Sequence, residues 1–171
     1  MTELMSGDAT PRLHLPLLHA GQAQKEVDHN EALALLDLAV QPVVLAIGLD
    51  VPPSQPAAGD CWIVGGDPVG DWAGQAHALA GWTVGGWRFV APRPGMTVWR
   101  STDGLTARYA DGAWHIGEVR AATLVLNGQE LLGAPQAPIG TPSGGEMIDH
   151  QAREALEAVL ETLRVHHLIR R

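Results

Sequence analysis

Lysine is nearly missing from this 171-residue sequence: Lys25 is the only one, and the basic residues together number 11 against 19 acidic ones. The formal charge of -8 opposes binding to the phosphate backbone of DNA or RNA. No stretch gathers Lys and Arg into a binding face, Arg170-Arg171 being only a terminal pair, so no nucleic-acid partner is expected. The single cysteine, Cys61, excludes an intrachain disulfide. It sits in the apolar run Cys61-Trp62-Ile63-Val64, where a thiol serves as a small buried side chain. No apolar stretch approaches the ~20 residues of a membrane-crossing helix, and no membrane partner is expected. The opening residues 1–8 lack the positive segment and apolar core of a signal peptide, so synthesis in the cytoplasm is the expectation. Tyr and Phe occur once each, and Trp carries the aromatic content at positions 62, 72, 82, 87, 99 and 114.

Turn formers, by contrast, are plentiful: 20 Gly and 12 Pro divide the chain into short pieces. Residues 1–20 show little period and read as an extended arm that packs against something, a neighbouring subunit being one option. Asp28-His29-Asn30-Glu31 resembles a capping box and opens a helix that Pro42 stops. Leu33, Leu36 and Val40 form one face and Leu35 and Leu38 the other, a pattern that implies burial on most sides. Residues 43–47 fit either a strand or a second short helix.

From Gly59 onward the pattern is that of strands: residues 61–64, 76–84, 87–90, 96–101, 105–110, 113–117 and 122–126. Gly85-Gly86, Asp103-Gly104, Asp111-Gly112 and Asn127-Gly128 supply turns. A two-residue loop at Gly85-Gly86 places Trp82 opposite Phe89. The same loop at Asp111-Gly112 places Tyr109 opposite Trp114. Such aromatic pairs are worth roughly 0.2–1 kcal/mol each. Residues 134–145 are rich in Pro and Gly and read as a linker. Residues 146–168 form a second helix in which Ala152, Leu156, Val159 and Leu163 repeat at heptad spacing, with Leu160 widening the stripe. The expected fold class is α+β, mainly antiparallel β. Its parts are an N-terminal arm and helix (1–50), an antiparallel β-meander module (51–133), the linker (134–145) and a separate C-terminal oligomerisation helix (146–171).

No catalytic set outweighs its structural explanation. His14, His19 and His29 are scattered, and His166-His167 point about 100° apart on a helix, so they do not chelate as an i, i+4 pair does. Asp60, Asp67, Asp71, Asp103 and Asp111 all sit at turn signals, where Asp bonds its own backbone. Gly65-Gly66-Asp67-Pro68-Val69-Gly70 lacks the Lys-Ser/Thr of a phosphate loop. No catalytic, cofactor-binding or metal-ligating residue is assigned, and the protein is not expected to be an enzyme. The tryptophans are the informative set. Most are expected as sheet core, with Trp62 and Trp87 buried. Trp72, in the loop Gly70-Asp71-Trp72-Ala73-Gly74, is expected exposed and is the candidate glycan contact.

Several segments carry a likeness. They are residues 15–27 (Leu-Pro-Leu-Leu-His-Ala-Gly-Gln-Ala-Gln-Lys-Glu-Val), His29-Asn30-Glu31-Ala32-Leu33 and Pro52-Pro53. Gly59-Asp60-Cys61-Trp62-Ile63-Val64-Gly65, Gly70-Asp71-Trp72-Ala73-Gly74 and residues 85–95 (Gly-Gly-Trp-Arg-Phe-Val-Ala-Pro-Arg-Pro-Gly) complete the set. In that order they resemble a family of uncharacterised domains in prophage and gene-transfer-agent proteins. The resemblance implies a building block of tail fibres and head spikes: a structural virion protein, base or adaptor for a fibre or spike. A carbohydrate- or receptor-binding module is the alternative. The heptad spacing of the second helix separately implies a homo-oligomer with Ala152, Leu156, Val159 and Leu163 at the interface, and because fibres and spikes are commonly three-fold a trimer is preferred, with a pentamer as the other option. Other virion proteins (capsid, tail or fibre) and a cell-surface glycan are the implied partners. The implied location is the particle, assembled in the bacterial cytoplasm.

Overall fold

A computed structural model of the chain describes residues 8–19, 21, 25–144, 149–166 and 168–170. The first seven residues of the expected arm, and residues 146–148 of the expected second helix, lie outside them. The fold is α+β and mostly antiparallel. Two compact units divide at residue 118/119.

In the first unit α1 (Lys25–Ala39) is followed by two very short strands, β1 (Val43–Val44) and β2 (Ala46–Leu49). The remaining strands are β3 (Cys61–Val64), β4 (Leu79–Thr83), β5 (Gly86–Val90), β6 (Thr97–Arg100), β7 (Leu105–Ala110) and β8 (Ala113–Ile116). One sheet runs β2-β3-β4-β5 and the other β1-β6-β7-β8. Residues 43–47 are thus neither one strand nor a helix. They feed both sheets, β1 pairing parallel with β6 and β2 parallel with β3. All other pairings in this unit are antiparallel.

The main core lies where α1 meets the inner faces: Leu38, Val44, Cys61, Ile63, Leu79, Val98 and Ala107. Gly81 is in mid-strand because Leu38 occupies the space a Cβ would need. The other face of the β2-β3-β4-β5 sheet carries Trp62, Val64 and Ala80 with Trp82, Trp87 and Phe89, closed over by Trp72. β3 is covered on both faces, which is why its sequence is an unbroken apolar run.

Several expectations are corrected. Asp28 is not the cap of α1, because the helix already begins at Lys25; Glu31 reaches instead to Arg88 on β5 at 2.7 Å. Nor is α1 buried on most sides, since only Asp37 and Leu38 are buried and Leu36 is 51% exposed. The first hairpin shifts by one residue: Thr83 pairs with Gly86, so Trp82 faces Trp87 and Ala80 faces Phe89. Gly85-Gly86 reads as two left-handed residues, but only Gly86 has positive φ (95°). The Thr83 hydroxyl fixes this register, accepting from Gly85 N (3.2 Å) and donating to Gly86 O (2.8 Å). The second hairpin has the expected register, Tyr109 opposite Trp114, with Asp111 and Gly112 both at positive φ.

The arm is not extended. Residues 8–17 double back, Ala9 bridging Pro16, and are fastened to α1. The buried Asp37 carboxylate accepts from Thr10 Oγ1 (2.7 Å), Arg12 N (3.1 Å) and Leu13 N (2.6 Å). The Arg12 guanidinium donates to the carbonyl of Asp37 and to that of Gln41 (2.8 Å), covering acceptors that the end of a helix leaves open. The Asn30 amide clamps Leu18, accepting from its N and donating to its O, each at 2.9 Å.

The second unit holds β9 (Leu124–Leu126), β10 (Gln129–Leu132) and α2 (His150–Val165). β9 and β10 form a hairpin around Asn127-Gly128, both at positive φ. Asp149 caps α2, accepting from Ala152 N at 2.9 Å. The stretch expected as a flexible or extended linker has no regular element over residues 134–144, and several of its carbonyls accept bonds from this helix and the residues after it. Arg164 donates to Ile139 O (2.8 Å), Arg170 N to Gln136 O (2.9 Å), and Arg153 to Gly144 O.

Candidate functional site

Trp72 is the first candidate to place, and it is not a surface ring. It sits in a one-turn 3-10 segment (Gly70–Trp72) whose backbone turns the indole inward, leaving it 0% exposed. Its ring lies 5.1 Å from that of Trp87 and 6.3 Å from that of Trp62, in an edge-on and a tilted arrangement. Trp82 adds a further edge contact to Trp87 at 5.0 Å. The loop expected to present Trp72 to a sugar therefore buries it in a four-tryptophan cluster. Its Nε1–H is enclosed with no acceptor among the described residues. Trp62 is buried as expected, while Trp87 is only half-buried.

The exposed tryptophan is Trp99, at 48%. In β6 the residues alternate, so Val98 enters the core and Thr97 and Trp99 turn to the outer face of the β1-β6-β7-β8 sheet. Register sets its neighbours: Val43 on β1 and Thr106 on β7. The backbone N of Trp99 donates to Pro42 O at 2.8 Å. Below the ring is the β6–β7 turn, whose Gly104 has room for a Cβ only at 3.4 Å from Trp99 Cζ2. Arg100 Nε donates to Asp103 Oδ1 at 2.9 Å and braces this turn. Hydrogen bonding from Arg100 holds the Asp103 carboxyl below its ordinary value, so the brace stays ionised at neutral pH.

A cleft of about 290 Å³ runs beside the ring, between Gln41, Pro42, Val43, Thr97, Trp99 and Thr106. Gln41 follows the end of α1 with φ of 44°, the left-handed position where Gly or Asn is the usual choice. Glutamine there costs about 1 kcal/mol of backbone strain. Its side chain and those of Thr97 and Thr106 are exposed at the cleft. Sequence reasoning missed Trp99, although the alternation Thr97-Val98-Trp99-Arg100 around a buried Val98 carries the signal.

Two apolar recesses flank α1. One, about 250 Å³, lies between the arm, α1 and the β4–β5 turn, with Val27 and Val84 at its walls. The other, about 400 Å³, lies between α1 and the end of β5, lined by Leu35, Leu36, Phe89 and Val90. Cys61 is walled in, and burial pushes its thiol up to about 11 from its ordinary 9.0, so it is no nucleophile at neutral pH. Among the described residues no three His, Cys, Asp or Glu side chains gather as metal ligands would.

On α2 the four heptad positions divide. Ala152 is exposed, Leu156 is 52% and Val159 55% exposed, and Leu163 is half-buried. Leu160, the residue expected to widen the stripe, is the buried one.

Sequence comparison adds a family. The model of a family of proteins of unknown function, DUF2793, matches residues 29–115, just over half of the chain, and the chain belongs to that family. The match runs from α1 through β8 and excludes the second unit. No curated protein matches the chain.

Proposed function

We propose that this DUF2793 member is a structural protein of a phage or gene-transfer-agent particle, an oligomeric base or adaptor that attaches a fibre or spike. The observation that supports it best is the state of α2. This 16-residue helix is covered within its own unit on one side only, by the 134–144 stretch and around Leu160. The opposite side offers Ala152, Leu156 and Val159 to solvent at coiled-coil spacing. A helix of this length is marginal in water without a partner, and copies of itself supply one. A parallel trimer suits a fibre or spike, with a pentamer at a capsid vertex as the alternative. Capsid, tail or fibre proteins are the further partners, and assembly takes place in the bacterial cytoplasm. The reading assigns no catalytic step. A second reading, a carbohydrate-binding module, is favoured by the exposure of Trp99.

Mass spectrometry of purified particles, combined with a low-resolution map, tests the location; particles that lack this chain refute it. Light scattering tests the assembly. Wild-type protein is expected as an oligomer at micromolar concentration. Leu156→Asp with Leu163→Asp is expected to dissociate it while the 8–118 unit stays folded. A monomeric wild type refutes the proposal.

A further inference from the structure

We infer that the cleft beside Trp99 binds a neutral sugar ring. Its floor and walls are the outer face of a braced sheet, from which the indole stands as an exposed apolar platform. Register with Val43 and Thr106 and the backbone N–H of Trp99, which donates to Pro42 O, fix where the side chain leaves the sheet, and Gly104 lies beside the ring. The ring has no role in the core, because the inward residue of this strand is Val98.

The chemistry around the ring selects the ligand class. Thr97, Thr106 and Gln41 present two hydroxyls and an amide, and none of these side chains has a hydrogen-bond partner among the described residues. They offer both donors and acceptors to alternating ligand hydroxyls. No charged side chain lines the cleft, so nothing there selects a phosphate or a carboxylate. A pyranose matches this combination, with an apolar C–H face for the indole and a rim of hydroxyls for the threonines and the amide. A cleft of about 290 Å³ is at the small end for ligand sites and suits one ring of a longer glycan. A stacked nucleobase fits the indole equally well, but its phosphates meet a chain of formal charge -8. The strained backbone of Gln41 has a rationale here, because a glycine would remove the amide from the cleft. This inference stands apart from the particle reading, and either can fail alone.

The test is a titration of the full chain, followed by ¹H–¹⁵N spectra. The probes are neutral hexasaccharides of glucose, galactose, mannose and N-acetylglucosamine. The expected result is a saturable shift of the Trp99 indole signal and of the Thr97 and Thr106 amides with at least one probe, in the millimolar range or tighter. Trp99→Ala should weaken binding by roughly tenfold or more, and Gln41→Ala by a smaller factor. The Trp62 and Trp72 indole signals should stay in place throughout and report an intact fold. No saturable shift at Trp99 with any of the four probes overturns the inference. So does binding that survives Trp99→Ala, or a Trp99→Ala variant that changes only the oligomeric state, which would make this face a protein contact.

Discussion

Removing the Asp37 carboxylate should detach the N-terminal arm from the rest of the first unit. Asp37 is 1% exposed and accepts three hydrogen bonds, all from residues 10–13 of the arm. Hydrogen bonds to a charged group contribute about 1.5–3 kcal/mol each. The Arg12 and Leu13 amides lie in partly exposed chain and can be rehydrated, so the sum does not apply in full. Asp37→Ala is therefore expected to cost about 3 kcal/mol. Asp37→Asn keeps one oxygen for Thr10 and Leu13 but turns an NH₂ toward the Arg12 amide, and should cost about half as much. Urea unfolding gives the stability change. Amide exchange at Arg12, Leu13 and Leu15 gives the location, since the Leu15 amide depends on the Thr10 hydroxyl that Asp37 orients. Trypsin should then cut after Arg12, whose guanidinium is held at the end of α1 in the native chain. A loss under about 1 kcal/mol, with exchange of the three amides unchanged, would show that the clasp does not hold the arm.

Three further outcomes follow from the core. Leu38→Ala should cost about 2–5 kcal/mol and Gly81→Ala about 1–3, but the double variant should be more stable than the sum implies, because the new methyl enters the space Leu38 vacates; additive unfolding energies would sink the packing argument. Trp72→Ala should cost about 3–5 kcal/mol, whereas Trp72→Phe should cost much less, since it keeps a ring in the cluster and removes the enclosed Nε1–H; equal losses in thermal unfolding would contradict this. The contribution of Cys61 to stability should be level below pH 9 and fall between pH 9 and about 11, as the unfolded chain ionises the thiol first. A Cys61→Ala variant with an equally steep fall over that range would remove the thiol as the cause.

What the sequence discloses follows the range of the interaction concerned. Asp111-Gly112 and Asn127-Gly128 declare their turns because two adjacent left-handed residues are a local demand. Gly85-Gly86 misleads by one residue because the deciding contact is a side chain, Thr83, bonding its own turn. β1 and β2 were illegible as strands of different sheets. Each pairs in parallel with a distant segment, and nothing in Pro42-Val43-Val44-Leu45-Ala46 records which one. Asp37 reads as the polar side of a helix, and only the arm folding back gives the carboxylate its donors. Residues 134–144 show the same limit: Pro and Gly composition reports the lack of a regular element and says nothing of partners such as Arg164 and Arg153.

The division of the tryptophans links stability to the candidate site. A unit this small, without a disulfide, gains most from its largest apolar side chains, each Trp removing ~150–250 Å² from water. Trp62, Trp72, Trp82 and Trp87 do so together on one face of the β2-β3-β4-β5 sheet, and Trp114 packs at the edge of the other core while donating to His77 O at 2.9 Å. All five thus have a packing reason to be tryptophan. Trp99 has none, because the outer face of its sheet supplies no covering layer among the described residues of the first unit, and Thr at the same position would satisfy an exposed strand equally well. A half-exposed indole beside a glutamine in a left-handed backbone conformation makes two locally unfavourable choices at one cleft. Such departures from local preference collect where a ligand or partner compensates them, which puts the Trp99 cleft ahead of the recesses beside α1 as the place to look for binding.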